Sequence, residues 1–259
     1  MTVEAPAKVN IFLKIVGIRG SYHELRSRFV RVESLHDTLS IERKESESPL
    51  FELLSSSPLP QENTVSKAYR LLKKVSPKIE KFFEVHRIRI EKRIPMGAGL
   101  GGGSSDAAAF LNLCNDVCGL GLTKEFLAGI GEKIGADVPF FVYGYPSANV
   151  EGIGERIAPF DEEPPSLELF TPPVHCDTAL VYRTFRKNFS DNIDPKAAGE
   201  WLSLQSAELM RSIDPLEAND LYRAALLAYP ELRRWAAPDR FFSGSGSTFF
   251  RLISDRAEG

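Results

Sequence analysis

The stretch PMGAGLGGGSSDAA, residues 95–108, combines residue types suited to binding an anion. Glycine occupies five of the seven positions from 97 to 103. Each glycine in a folded element costs roughly 0.5–1 kcal/mol relative to alanine, so this run indicates that the backbone itself contacts something that a side chain would block. The serines that follow predict a helix start, where free N–H groups and the positive end of the helix dipole converge. The loop therefore predicts a phosphate site.

Other interpretations of this loop fit less well. Its GxGxxG spacing over residues 97–102 matches the dinucleotide fingerprint, but the preceding strand is charged, and the acid expected about twenty residues later would fall inside a helix. A Walker loop requires lysine after the last glycine, where Ser104 stands. The chain contains no HRD or DFG triplet of a protein kinase. A tight turn that merely lets two elements pack closely remains the plain structural alternative.

Two side chains could act on a bound phosphate donor. Asp137 stands alone in the apolar run GADVPFF, residues 135–141, and such a carboxylate is costly unless it is paired or functional. A helix cap is the plain alternative for this residue. Lys8 is the cationic candidate, because the alternation of apolar residues in the first strand places it on one face with Asn10. A lysine simply solvated on that face is the alternative.

Strands and helices alternate through the segments that must position these residues. The first strand is expected to be half-buried, and further strands are predicted at 29–32 and 39–41. Residues 46–60 read as a polar connector rich in serine and proline. The isoleucines within 88–94 alternate with charged residues, which predicts a strand exposed on one face before Pro95.

Helices are predicted where apolar residues recur at helical spacing behind a capping residue. Asn63 caps the first of them, and Ser104 or Ser105 caps the helix that follows the glycine loop. Thr123 opens another helix, which is expected to bury Phe126 on its apolar face.

The second half of the chain gives fewer signals. The stretch FFSGSGSTFF, residues 241–250, predicts two strand-like runs around a serine and glycine turn. The proline-rich segment 159–173 is the best candidate for a boundary. The length of the chain allows one large domain or two, and with two this segment would divide the chain into 1–158 and 159–259.

Composition restricts the class of protein. The 259 residues carry a formal net charge of −3, which argues against a general binder of nucleic acid or membrane surfaces. The cysteines are three, and an odd, small number is unlike a disulfide framework and favours the cytoplasm. Cys114 and Cys118 lie four residues apart on an apolar face and are expected to pack there, and no metal site is predicted. No signal peptide or membrane helix is expected.

The motifs together resemble those of the GHMP kinases, the group containing galactokinase, homoserine kinase and mevalonate kinase. PMGAGLGGGSSDAA is similar to the phosphate-binding motif of the family, and FFSGSGSTFF is similar to its second glycine-rich motif. The stretches APAKVNIFLKI, SYHEL and GADVPFFV resemble the branch that phosphorylates a cytidyl sugar alcohol in the methylerythritol phosphate route to isoprenoids. The resemblance implies an α+β fold with an N-terminal α/β domain containing a left-handed crossover, a C-terminal ferredoxin-like domain, and an active site in the cleft between them.

The resemblance also implies roles for particular residues. ATP, accompanied by Mg²⁺, would give its γ-phosphate to the 2-hydroxyl of the substrate, with Asp137 as the base and Lys8 beside it. Asn63 and Lys92 match positions that line the adenine pocket. A serine hydroxyl would lie near the Mg²⁺. The ATP phosphates would be wrapped by the loop residues Pro95, Gly97, Gly99, Leu100, Gly101, Gly102, Gly103, Ser104 and Ser105.

On the substrate side, the resemblance implies a pocket for cytosine. His23 would read the hydrogen-bonding edge of the base while Tyr22 and Tyr182 sandwich its ring. Asn10 and Thr178 would contact the rest of the substrate. Ordinary packing is the alternative for Tyr182, and the loop GIRGSYHEL before the pocket is shorter than the usual form in the family.

Rival functions remain open at this point. Another GHMP small-molecule kinase, of the homoserine or mevalonate type, would need no cytosine pocket. A catalytically silent nucleotide-binding protein on the same fold would not need the base and the lysine. An NAD-dependent enzyme is the third rival. The expected partner is a small-molecule substrate, with no nucleic acid, membrane or obligate protein partner.

Overall fold

The computed structural model describes residues 1–20 and 22–253. In it the chain forms two compact units, each assembled from separate stretches of sequence. The first unit comprises Met1–Ala7, Glu33–Ile94 and Gly101–Tyr145. The second comprises Lys8–Val32, Pro95–Leu100 and the described part of Pro146–Gly259. The division into domains 1–158 and 159–259 stays a prediction.

Two long strands supply residues to both units. β1 spans Thr2–Arg19 and β2 spans Tyr22–Arg43. The segments 29–32 and 39–41, which were predicted as separate strands, belong to this one continuous β2. The residues between them include charged side chains. Because strands are predicted from runs of apolar residues, this polar stretch made one strand look like two.

The middle of β1 is buried on both faces, so the prediction of a half-buried strand is wrong. Residues 7–13 are all shielded from solvent, including Lys8 at 4% exposure and Asn10 at 2%. Polar groups buried in this way require hydrogen-bonding partners. The alternative interpretation, in which Lys8 is simply solvated on the face of the strand, is therefore excluded.

In the first unit, helices pack beside a small sheet. β4, His86–Glu91, pairs antiparallel with the end of β2 and parallel with β3, Leu53–Ser55. The connector predicted at 46–60 thus contains a short strand. The helices of this unit are α1 Thr64–Val75, α2 Pro77–Val85, α3 Gly102–Val117, α4 Lys124–Glu132 and α5 Val138–Tyr143.

Aromatic rings fill part of the core of this unit. Phe51 stacks on Tyr69 with 4.0 Å between ring centroids, and Phe83 and Phe110 meet the Phe51 ring edge-on. Such pairs contribute about 0.5–1.5 kcal/mol beyond their buried area. Cys114 on α3 is fully buried, as expected from its apolar face.

Two of the three predicted helix caps are confirmed by the structure. The side chains of Asn63 and Thr123 accept hydrogen bonds from the backbone of Ser66 and Phe126 and cap α1 and α4, as predicted. Phe126 is exposed, contrary to expectation. The prediction of a serine cap for α3 is wrong, since its cap is Gly101.

The second unit contains further strands of the six-stranded sheet that includes β2, a separate three-stranded sheet and the remaining helices. The start of β2 pairs with β5, Ser147–Gly152, which pairs with β6, Arg156–Pro159. β9, Phe249–Leu252, lies between β7, Leu167–Phe170, and β8, Phe241–Phe242. The turn predicted in FFSGSGSTFF is confirmed by the pairing of β8 with β9. The helices are α6 Thr178–Phe189, α7 Ser206–Ser212, α8 Pro215–Ala218 and α9 Asp220–Ala228.

The core of the second unit includes Val181 and Phe185 from α6, Leu221 from α9 and Phe249 from β9. Cys176 is buried in the same cluster. Among the residues that the structure describes, no helix is long and apolar enough to span a lipid bilayer.

A buried ion pair joins elements of the second unit. Arg28 on β2 and Glu162 lie 3.6 Å apart, with side chains 0% and 1% exposed. Glu162 also accepts hydrogen bonds from Ser147 Oγ at 2.6 Å and from the backbone N–H of Ser206 at 2.7 Å. Burial lowers the pKa of Arg28 to about 10, although the neighbouring Glu162 opposes this shift.

We expect Glu162→Gln to be strongly destabilising. The substitution leaves the Arg28 charge buried without its counter-charge, which typically costs about 3–5 kcal/mol. Urea denaturation measures this loss in the free energy of unfolding. The matched control is Glu168→Gln, because Glu168 pairs with Arg251 at the surface and exposed pairs contribute about 1 kcal/mol or less. Equal losses in the two variants would contradict this account of the pair.

Candidate active site

The first part of the glycine loop, 95–100, is bound to neighbouring backbone within the second unit. Gly97 and Gly99 have φ of 65° and 74°, values that favour glycine. The Ser243 hydroxyl donates to the carbonyl of Gly99 at 2.9 Å, and the N–H of Lys8 donates to the carbonyl of Leu100 at 3.0 Å. The loop is thereby held between β1 and the turn of the second glycine-rich motif.

Close packing explains part of the glycine requirement. A Cβ on Gly99 would lie 2.1 Å from the carbonyl oxygen of Ser243, and one on Gly97 would lie 2.1 Å from the Nδ1 of His175. Real Cβ atoms do not approach other atoms so closely, so these positions exclude side chains before any ligand binds. The tight-turn alternative therefore accounts for these two glycines, although it does not exclude phosphate binding.

The second part of the loop forms the N-terminus of α3 in the first unit. Gly101 is the cap, with a left-handed φ of 73°, and its carbonyl accepts from the N–H groups of Ser104 at 3.0 Å and Ser105 at 2.9 Å. The serines thus lie in the first turn rather than at the cap. The N–H groups of Gly102 and Gly103, which precede these bonds in the first turn, have no acceptor within the helix and suit an anion.

Ser105 adds a second observation at this helix start. Its Oγ is buried and has no hydrogen-bond partner in the structure. A buried hydroxyl without a partner costs about 1–3 kcal/mol. A group that supplies a partner for this oxygen would therefore be stabilised here.

A charged cluster in the first unit lies directly beside the loop and was missed from the sequence. Lys92 donates to the carboxylates of Asp37 and Asp106, the latter at 2.6 Å. Asp37 also accepts from the backbone N–H groups of Arg93 at 2.5 Å and Ile94 at 2.9 Å. It thereby fixes the chain immediately before Pro95. The isolated acid in SLHDTL, residues 34–39, is the same signal that singled out Asp137.

The electrostatics of this cluster are those of two carboxylates sharing one ammonium group. Burial raises the pKa of Asp106 to about 7, with Lys92 lowering it and Asp37 raising it further. Burial lowers the pKa of Lys92, but the two carboxylates outweigh it and the net shift is upward. The Lys92 side chain is 6% exposed, and its ammonium group is engaged by the acids. Its expected contact with adenine therefore has to come from its stem or backbone.

Asp137 occupies the cap position of α5 but does not act as a cap. It is half-buried, and its side chain makes no capping hydrogen bond. In the same unit, a Cβ on Gly135 would lie 3.8 Å from the Oγ of Ser104. The segment that carries Asp137 is therefore next to the helix start of the glycine loop. The capping alternative is right about the position of Asp137 at the start of α5, but the carboxylate does not cap the helix.

Lys8 and Asn10 point to the same side of β1, as predicted. The ammonium group of Lys8 donates to Asn10 Oδ1 at 2.6 Å and lies 4.5 Å from the centroid of the Phe29 ring. Asn10 Nδ2 donates to Ser27 Oγ at 2.9 Å, and the Asn10 backbone N–H donates to the Ser243 hydroxyl at 3.3 Å. Lys8 and Asp137 belong to different units, so their placement beside each other stays a prediction.

A cavity of about 430 Å³ in the second unit contains the predicted base-binding residues. Tyr22, 61% exposed, and His23 come from the start of β2, and Tyr182 comes from α6. The rings of His23 and Tyr182 are 5.0 Å apart between centroids. The Nε2 of His23 is buried without a hydrogen-bond partner. Such an atom in an aromatic cavity suits a ligand with a planar ring and polar edge.

Thr178 connects this cavity to the second glycine-rich motif. Its hydroxyl lies 2.9 Å from the hydroxyl of Ser245. It is the first residue of α6, one turn before Tyr182. The expected contacts of Thr178, Asn10 and Asn63 with ligands stay predictions. The side chain of Asn63 is already engaged as the cap of α1.

A model of the GHMP kinases N-terminal domain matches residues 63–145, from α1 to the end of α5. Over the whole length, a 4-diphosphocytidyl-2-C-methyl-D-erythritol kinase of Sulfurovum sp. is 50% identical across 252 residues, covering 97% of this chain and 98% of the relative. The chain belongs to the GHMP kinase family. Membership predicted from the motifs is thereby confirmed.

Two further GHMP kinases extend the similarity. The 4-diphosphocytidyl-2-C-methyl-D-erythritol kinase of Sulfurimonas denitrificans is 47% identical over 254 residues, covering 96% of this chain and 95% of the relative. A crystal structure of 4-(cytidine 5'-diphospho)-2C-methyl-D-erythritol kinase matches with a TM-score of 0.73 and 33% identity, covering 98% of this chain and 90% of that one. The α+β fold expected for a GHMP kinase is confirmed.

We expect stability to depend on the titration of Asp106. Because its pKa rises from the ordinary 3.8 to about 7 on folding, the folded kinase binds this proton more tightly than the unfolded chain does. The free energy of unfolding should therefore fall as pH rises from about 4 to about 7. Asp106→Asn removes this titration. The fall in the free energy of unfolding across this pH range should therefore be smaller than in wild type by on the order of a few kcal/mol.

Urea denaturation across this pH range measures the effect. Asp116→Asn, on the exposed side of the same helix, is the control and should keep the wild-type dependence. A wild-type profile in Asp106→Asn would contradict the role of Asp106.

Proposed function

We propose that this GHMP kinase transfers the γ-phosphate of ATP to the 2-hydroxyl of 4-diphosphocytidyl-2-C-methyl-D-erythritol. The names of its relatives support the substrate. The observation that carries the proposal is the aromatic cavity with the unpartnered Nε2 of His23. Kinases of the homoserine or mevalonate type would have no use for such a cavity, since their substrates contain no base.

The chemistry of the cavity suits cytosine. Tyr22 and Tyr182 offer ring faces for stacking, and a neutral His23 offers one polar nitrogen for the edge of the base. A site that must satisfy a buried polar atom rejects ligands lacking the matching group more strongly than a purely apolar site does. We therefore assign the cavity to the cytidine end of the substrate. Asn10 and Thr178 would contact its remainder.

The glycine loop is the proposed site for the ATP phosphates. The N–H groups from Gly99 to Gly103 would donate to phosphate oxygens, and the dipole of α3 would favour their charge. Ser104 and Ser105 would contribute through their hydroxyls, because their N–H groups already donate to the carbonyl of Gly101. The residues fit Mg²⁺ in a limited way, since Ser104 and the unpartnered hydroxyl of Ser105 offer oxygen donors. Mg²⁺ usually takes most of its ligands from phosphates and water. When bound, it would neutralise charge on the phosphates. Asn63 and Lys92 would lie at the adenine end.

The proposed chemistry is an in-line transfer between oxygens. The substrate hydroxyl forms a bond to the γ-phosphorus while the bond from that phosphorus to the bridging oxygen of ATP breaks. ADP leaves with the electron pair, and the hydroxyl proton passes to the carboxylate of Asp137. Lys8, held by Asn10, would stabilise the negative charge of the carboxylate and of the transition state.

The further expectations belong to the same proposal. The chain would act in the cytoplasm on a small molecule, with residues 1–158 as the ATP-binding domain and residues 159–259 as the second domain. The active site would lie in the cleft between these domains.

The substrate is tested by direct assay. We expect ADP and a singly phosphorylated cytidyl product when the kinase is incubated with ATP, Mg²⁺ and the cytidyl sugar alcohol, measured by mass spectrometry. Homoserine and mevalonate serve as comparison acceptors and should stay unphosphorylated. Faster phosphorylation of either would overturn the assignment of the cavity to cytosine.

Asp137→Asn tests the base. The amide has nearly the same shape but cannot accept the proton, so kcat should fall by about 10²–10⁴. Affinity for ATP, measured by calorimetry, should stay within a few-fold because the base does not hold the nucleotide. An unchanged kcat would exclude Asp137 as the base. A silent nucleotide-binding protein would show no turnover even before substitution.

Substitution of Tyr22 tests whether its ring stacks on the base. Because Tyr22 is exposed, the substitution should leave the core intact. Loss of one base-to-ring contact costs about 1–3 kcal/mol, so Tyr22→Ala should raise the KM for the cytidyl substrate by about 5- to 100-fold. Tyr22→Phe keeps the ring and should stay close to wild type. If both variants behave alike, the ring of Tyr22 does not stack on the substrate.

A further inference from the structure

Arg186 holds the turn that leads into the base-binding residues. It lies on α6, lines the same cavity as His23, and donates from Nη2 to the carbonyl of Gly20 at 3.3 Å. Gly20 has a left-handed φ of 61° and immediately precedes the segment that carries Tyr22. A single guanidinium thus connects α6 to Gly20, the residue that follows β1.

The second observation concerns His23. Its ring lies 5.0 Å from that of Tyr182 between centroids, tilted by 36°, and meets Phe185 edge-on at 6.0 Å, so α6 fixes the position of the imidazole. Its Nε2 is buried without a partner. The imidazole therefore gains a hydrogen bond at this atom when a ligand with a polar edge enters the cavity.

We propose that Arg186 is a positioning residue for the base-binding cavity, acting on the turn at Gly20 and on the imidazole of His23. The inference rests on the proposed function, because it takes the ligand to be a cytosine base. The guanidinium would not contact the base itself. It would hold the turn in place and keep a positive charge beside the imidazole.

The charge of Arg186 has a defined effect on the protonation of His23. Burial lowers the pKa of His23, and the positive charge of Arg186 lowers it further. The other charged groups nearby are Arg183 on α6 and the surface network in which Arg19 binds Glu24 and Glu155. Arg19 balances one of the two carboxylates, and the remaining negative charge lies at the surface, where solvent screens it, so the network offsets the effect of Arg186 only weakly.

A neutral imidazole matters for recognising cytosine. Neutral histidine has one ring nitrogen that accepts a hydrogen bond, whereas the protonated ring only donates. Cytosine presents an amino group that must donate. Acceptance of that hydrogen bond at Nε2 requires a neutral ring, so binding of the base should weaken as His23 becomes protonated at low pH.

The test uses cytidine, which is uncharged, so that attraction between arginine and a phosphate plays no part. Arg186→Gln should raise the pH at which His23 titrates, followed by NMR of the four histidines. It should also weaken cytidine binding at pH 6 by about three- to tenfold, with a smaller loss at pH 8.5. Arg186→Lys restores the charge and should restore most of the titration.

Arg183→Gln is the matched control. It removes the same charge from the next exposed arginine of the same helix, and the titration of His23 should stay close to wild type. An identical His23 titration in wild type and Arg186→Gln would overturn the role of Arg186, as would equal shifts in the two glutamine variants. Failure of wild type to bind cytidine at any pH would instead overturn the cytosine cavity, and with it the proposed function.

Discussion

The close approach of two backbone segments is the constraint on which the candidate site depends. The carbonyl oxygen of Ser243 occupies the space that a side chain on Gly99 would need, and the hydroxyl of the same serine binds the carbonyl of Gly99. β1 joins both segments through its backbone, since the N–H of Lys8 reaches Leu100 and the N–H of Asn10 reaches Ser243. The strand that carries the cationic candidate therefore also sets the path of the glycine loop.

Two buried polar networks, one in each unit, hold residues of the candidate site. Lys8 is satisfied by Asn10, which is held by Ser27, whose hydroxyl donates in turn to the carbonyl of Phe12 at 2.5 Å. Lys92 is shared by two carboxylates. Isolated charges at these positions would be costly, so each network has to stay complete for its unit to fold. The first network fixes a side chain proposed to act in transfer, whereas the second fixes the chain leading into the loop.

The sequence predicted the parts of this arrangement that depend on local chemistry. The glycine loop, the caps Asn63 and Thr123 and the paired orientation of Lys8 and Asn10 all follow from spacing. The burial of both faces of β1 does not, because it depends on residues far along the chain. The role of Gly101 as cap was hidden by neighbouring serines, which are better capping residues in isolation. The Asp37 cluster was missed because its members are separated by 55 and 14 residues from Lys92 and meet only on folding.

Helix α6 connects the base-binding cavity to the second glycine-rich motif. Its first residue, Thr178, bonds Ser245 in the second glycine-rich motif, and Tyr182 lies one turn later in the cavity. Four residues of helix advance by about 6 Å, a separation that a helix holds rigidly. The same helix carries Arg186 a further turn along, where it binds the carbonyl of Gly20. Since these contacts follow one face of a single helix, the spacing between the second glycine-rich motif and the cavity is fixed by helical geometry. A base stacked on Tyr182 would therefore lie at a fixed distance from that motif. A flexible loop in place of the helix would let this distance vary, and bases of different sizes could then be accommodated.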